Sequence, residues 1–74
     1  MKYERVEING EYIRLDDLLK FAGISPTGGT AKRMIQAGHV KVNGEICLQR
    51  GKKMKPGDTA EYGDETVEVI VNSE

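Results

Sequence analysis

Between Leu15 and Gly38 the chain repeats one apolar spacing twice. Leu15, Leu18, Leu19 and Ala22 fall at i, i+3, i+4 and i+7, and Ala31, Met34, Ile35 and Gly38 do the same. Each run describes one face of an α-helix of little more than two turns. Helices that short do not persist in water alone, so both must bury their apolar faces against something else. The connection, Gly23 to Thr27, is too brief for a strand to intervene. Two consecutive short helices therefore pack as a pair, and the remaining segments must supply the surface they rest on.

Helix boundaries are marked by chemistry. Asp16 and Asp17 lie in the first turn of the first helix and Lys20 in its last, matching the helix dipole. Gly23 follows as the residue that leaves the helix. Ser25-Pro26-Thr27 reads as a turn with Thr27 as N-cap of the second helix, and Gly38 as its stop. Arg33 and Gln36 face outward, with Lys32 to one side.

The flanking segments read as strands. Lys2 to Ile8 is expected to be a strand, turning at Asn9-Gly10 into a short extended piece that runs to Ile13. Val40 and Val42 share one face and His39 and Lys41 the other, ahead of an Asn43-Gly44 hairpin turn. Pro56-Gly57-Asp58 closes a basic loop, and Gly63-Asp64 turns a final hairpin whose second strand alternates Val67, Val69 and Val71 with Glu68 and Ile70. The order β-α-α-β-β-β gives an α+β domain with both helices consecutive on a small, mostly antiparallel sheet.

With 74 residues and 38% hydrophobic composition, one domain with one modest core is expected. A deep catalytic pocket does not fit easily into that volume. A single cysteine, Cys47, excludes an internal disulfide, and the charged start Met1-Lys2-Tyr3-Glu4-Arg5 lacks an apolar signal core. A cytoplasmic protein is the simplest expectation. One histidine, His39, and one cysteine do not assemble a zinc site. No nucleophile and base stand in a recognisable catalytic order, so neither enzyme activity nor a cofactor is expected. Cys47 reads as a small buried residue, and Tyr3, Tyr12 and Tyr62 as core or edge packing.

The net charge of −1 hides a strong asymmetry. Thr30 to Gly57 holds seven bases (Lys32, Arg33, Lys41, Arg50, Lys52, Lys53, Lys55) and one acid, Glu45, for a net +6; the remainder is −7. A ligand feels the local field and not the total. Four mobile cations in the loop from Arg50 to Lys55 suit an anionic partner, RNA above all. Gly28-Gly29 open a helix whose free amides can hold a phosphate, although no P-loop or dinucleotide fingerprint is present.

The order of these motifs is similar to the S4 RNA-binding domain. "IRLDDLLKFAGI", "TAKRMIQAGHVKVNGEI" and "GKKMKPGD" resemble the family's R/K-L-D-x-L-L helix, its I-x-x-G helix end, its V-x-V-N-G hairpin and its P-G-D turn. The likeness spans residues 13–59 within a single domain of residues 1–74. The TGG-x-A-K form and the extra N-terminal strand most resemble small, stand-alone, ribosome-associated bacterial members.

The resemblance implies an S4-like, alpha-L fold and a non-catalytic, monomeric protein that docks on structured RNA, ribosomal RNA first. It implies RNA contacts at Thr27, Gly28, Gly29, Lys32, Arg33, Lys41, Asn43, Arg50, Lys52 and Lys53. Many S4 domains carry Ser-Arg where this chain has Thr27-Gly28, so one cation of the usual helix tip is replaced by bare backbone. The alternative expectation is a protein-interaction adaptor that retains the S4 surface only as a vestige.

Overall fold

A computed structural model describes residues 2–72. The elements are β1 (Lys2–Ile8), β2 (Ile13–Arg14), α1 (Leu15–Phe21), α2 (Gly28–Gln36), β3 (Val40–Val42), β4 (Glu45–Ile46), β5 (Lys53–Met54), β6 (Thr59–Tyr62) and β7 (Glu65–Val71). Five strands form one sheet in the order β1-β7-β6-β3-β4, and β2 pairs with β5 in a separate two-residue ribbon.

Both helices form where the apolar spacing places them. Gly23 and Gly38 take φ of 78° and 83°, the left-handed conformation that lets the chain leave each helix. Leu15, Leu18 and Leu19 of α1 and Ala31 and Ile35 of α2 are buried. They meet Ile8, Val40, Val42, Ala60, Val67 and Val69 from the inner face of the sheet, and Met54 from the ribbon. Strand alternation explains the layering: residues one step away, such as Tyr3, Arg5, Lys41, Glu61 and Glu68, stand on the outer face, which no helix covers.

The N-terminal hairpin expected at Asn9-Gly10 does not form. β1 runs parallel to β7 instead, with Glu4 opposite Val67, Val6 opposite Val69 and Ile8 opposite Val71. That register adds Val6 and Ile8 to the apolar face already laid down by Val67 and Val69. A pairing with the segment up to Ile13 offers only one apolar residue, and Ile13 is claimed by Met54 across the ribbon. Asn9 still has a role, because its Oδ1 accepts a 2.7 Å hydrogen bond from the Asn72 Nδ2 as the two strands end.

The hairpin at Asn43-Gly44 forms as expected, with φ of 52° and 87° at its two central residues. Positive φ at both positions is the type I′ pattern that matches strand twist. Gly63 turns the β6–β7 hairpin as expected. No helix among the described residues is long and apolar enough to cross a membrane.

Candidate nucleic-acid interface

The tip of α2 is built from the segment Ser25 to Gly29. Ser25 is buried and its hydroxyl donates to the Thr27 carbonyl at 2.5 Å, fixing the turn. Thr27 is the N-cap, its Oγ1 accepting from the Thr30 amide at 3.1 Å. Its carbonyl accepts the Ala31 amide. The amides of Gly28 and Gly29 have no protein acceptor among the described residues, and both glycines are exposed. Neither has a positive φ. A Cβ at Gly28 would meet nothing within 4 Å, and one at Gly29 only Thr27 Oγ1 at 3.9 Å. Fold geometry therefore does not require glycine at either position. Lys32 and Arg33 follow on the exposed side of the helix.

The basic loop is anchored rather than mobile, contrary to expectation. α1 has no side-chain cap at Arg14. The Leu15 and Asp16 amides donate instead to the carbonyls of Lys52 and Arg50, at 2.9 and 3.0 Å. The loop thus caps α1, satisfying two donors that every helix start leaves open. Beyond it, β5 places Ile13 opposite Met54 and Arg14 opposite Lys53, and Met54 is fully buried. With the backbone pinned at both points, the side chains of Arg50, Lys52 and Lys53 are held out toward solvent.

This arrangement brings in residues that lay outside the sequence-based set. Arg14 counted with the acidic remainder of the chain, yet the ribbon sets it beside Lys53. Its guanidinium is 3.0 Å from Asp16 Oδ2 and lies against Gly51, where a Cβ would stand 3.7 Å from Arg14 Nη2. Tyr12 precedes Arg14 by two residues, and the Lys53 ammonium lies 5.0 Å from its ring centroid. Tyr12 and Tyr3 are exposed, not packed into the core; only Tyr62 packs against it. No linear signal exposes these neighbours, because the pairing joins positions far apart in sequence.

Asn43 is heavily committed to structure. Its Oδ1 accepts the Thr59 amide at 3.0 Å, its Nδ2 donates to Asp58 at 3.1 Å, and its own amide donates to the Thr59 carbonyl. Asp58 in turn accepts the Lys55 amide at 2.8 Å. That backbone hydrogen bond holds the Asp58 carboxyl below the usual carboxylate range, partly opposed by burial and assisted by Asn43, Lys52 and Lys55. The two turns of the resemblance, V-N-G and P-G-D, are thereby locked together.

Lys41 stands exposed on β3, across from Glu61 on one side and Ile46 on the other. An open groove of about 510 Å³ is lined by Val42, Asn43, Ile46, Leu48 and Lys52, among others, so it brings Asn43 and Lys52 together. Thr27, Gly28, Gly29, Lys32 and Arg33 form a second group on α2. Cys47 is half-buried, its Sγ 3.7 Å from the Gln49 carbonyl.

Ion pairing divides the molecule. Lys2 pairs with Glu4, Arg5 with Glu68 and Arg14 with Asp16. Lys32, Arg33, Lys41, Arg50, Lys52 and Lys53 form no ion pair with any described residue.

Comparison with known proteins agrees with this architecture. The S4 domain family matches residues 6–70. The chain is 36% identical over 59 residues to the Escherichia coli "Putative RNA-binding protein YbcJ", covering 80% of this chain and 84% of that protein. It is 38% identical over 56 residues to the Bacillus subtilis "Probable ribosome maturation protein RlbA", covering 76% and 79%. Small ribosomal subunit protein uS4 of Novosphingobium aromaticivorans is 31% identical over 61 residues, 82% of this chain and 30% of that protein. The chain spans less than a third of the longer relatives it matches. With the family matched across nearly all of the described fold, the chain belongs to the S4 domain family.

Proposed function

We propose that this protein is a non-catalytic, monomeric RNA-binding module that docks on structured RNA, ribosomal RNA first. The observation that carries this reading is the set of exposed cations on α2, β3 and the basic loop that form no ion pair with a described residue, whereas Lys2, Arg5 and Arg14 each pair with a carboxylate. Exposed cations left unpaired on an anchored framework suit a polyanion. The names of the relatives, which include RNA binding, ribosome maturation and a ribosomal protein, support the same reading.

The contacts divide by chemistry. Lys32, Arg33, Lys41, Arg50, Lys52 and Lys53 neutralise phosphates. Thr27, Gly28 and Gly29 offer backbone amides to one phosphate oxygen group at the positive end of α2. Asn43 acts mainly by holding the two turns in register. Recognition rests on phosphate positions and RNA shape, because the deep groove of A-form RNA hides base edges from side chains.

Binding to ribosomal RNA or ribosomal subunits across a salt series tests this. Replacing Arg33, Lys52 and Lys53 together by Gln should weaken binding at least about tenfold and flatten the salt slope by about one per lost phosphate contact. Unchanged affinity and slope would remove the proposed surface.

A second reading follows from the open sheet face, where Glu7, Glu61 and Glu68 stand beside Tyr3 and Ile70. It makes the chain an adaptor for a basic protein. Partners that persist in a pull-down after nuclease treatment would favour it.

A further inference from the structure

Among the exposed aromatic rings, one has a setting the others lack. Tyr3 has the Arg5 guanidinium 5.6 Å from its ring centroid, but its hydroxyl donates to Glu68 at 2.7 Å and Arg5 is paired with that same carboxylate, so neither group is unengaged. Phe21 is 75% exposed, but it shares its groove with Asp17 as well as Lys20 and has no cation over its ring. Tyr62 is half-buried and meets His39 edge-on. Tyr12 is 43% exposed, and its hydroxyl has no hydrogen-bond partner among the described residues. Its ring is flanked by Lys53, a cation with no ion pair.

The ribbon explains why these groups coincide. Ile13 and Met54 turn toward the core, so alternation sends Arg14 and Lys53 to the opposite face. Tyr12, two residues before Arg14, points the same way, as the position of Lys53 over its ring confirms. Arg14 is held by Asp16 and rests on Gly51 of the basic loop. One small face thus presents an aromatic ring next to two cations, on backbone fixed by the buried Met54 and by the capping of α1.

We infer that Tyr12 is a stacking platform for one unpaired base of the bound RNA, with Lys53 engaging the phosphate of the same strand. The inference rests on the RNA-binding reading and deepens it. A ring gives sequence-tolerant affinity for any base free to leave the helical stack, because every base has a π-face. A neighbouring lysine supplies the charge-dependent part of the same contact. The protein then distinguishes RNA carrying a bulged or looped nucleotide from continuous duplex, which phosphate contacts alone do not do.

Two RNA probes test this: a fully paired duplex, and the same duplex with a single bulged adenosine. Wild type should prefer the bulged duplex. Tyr12→Ala should lose roughly 5- to 100-fold of affinity for the bulged duplex and little for the paired one, while Tyr12→Phe retains the preference. Lys53→Gln should weaken both and reduce the salt slope. The chain has no tryptophan. Tyr12→Trp therefore creates a single reporter whose emission is quenched by the bulged duplex and not by the paired one. Equal affinities of wild type and Tyr12→Ala for the bulged duplex, with RNA still bound, would overturn the stacking role and leave the RNA-binding reading intact. So would an equal loss on both probes. Absence of binding by wild type to these probes and to ribosomal RNA would overturn both.

Discussion

Gly28 and Gly29 separate fold from function at single positions. Glycine inside a helix is destabilising relative to alanine, and neither site has a backbone angle or a close neighbour that demands it. Gly28→Ala and Gly29→Ala should therefore raise thermal stability, by up to about 1 kcal/mol each. Under the proposed function the same changes weaken RNA binding by crowding the exposed amides. Stability and affinity moving in opposite directions, measured on the same samples, is the expected outcome; affinity that rises with stability would remove the tip from the interface. Asp58 supplies a second residue-scale test. Its folded-state pKa is depressed, mainly by the Lys55 amide, so in the intervening range the unfolded chain binds more protons than the native one. Its contribution is complete above the ordinary aspartate range, near about 3.9, and is lost as pH falls below it through the folded value. In acid titrations followed by circular dichroism, Asp58→Asn should be less stable than wild type near neutrality, with the difference shrinking at low pH. The exposed cations of α2 and the loop were legible in the sequence because charge and helical spacing are local properties. Tyr12 and Arg14 were not, since only the β2–β5 pairing gives them their neighbours.

At the scale of elements, the short ribbon matters more than its two-residue strands suggest. It holds the basic loop at one end while the loop carbonyls cap α1 at the other, so Met54 supports a helix start and a charged surface together. Met54→Ala removes a fully buried side chain and should cost about 2–5 kcal/mol. Chemical denaturation should show that loss in full. RNA affinity of the fraction that stays folded should also fall, because the cations lose their fixed backbone. A loop that binds RNA equally well after this change would be acting as a flexible charged tether. Charge and glycine content made this segment read as mobile in the sequence. The signal that it is anchored lies in Met54 alone, an apolar residue among lysines, and one residue does not establish a strand. The two helices were legible for the opposite reason: apolar positions recur at helical spacing, and a glycine, Gly23 or Gly38, follows each helix.

Across the whole molecule, polarity of charge follows the division of labour in the fold. The segment at +6 holds α2, the β3–β4 hairpin and the loop, and the acids concentrate on the strands that complete the sheet. The helix pair and both tight hairpins could be read from the sequence, because each is specified within a dozen residues. The position of β1 could not. Asn9-Gly10 gives a strong local turn signal, and it is overridden by apolar complementarity with a strand at the far end of the chain. That long-range choice has a kinetic consequence. Lys2 meets Glu65 and Ile8 meets Val71, so β1 has no partner until nearly the last described strand has been synthesised. The helix pair, built from neighbouring segments, can form early, whereas closure of a loop spanning most of the chain is entropically slow. During translation β1 emerges well before its partner β7, and its charges of alternating sign at Lys2, Glu4, Arg5 and Glu7 disfavour edge-to-edge pairing of that waiting strand with other chains.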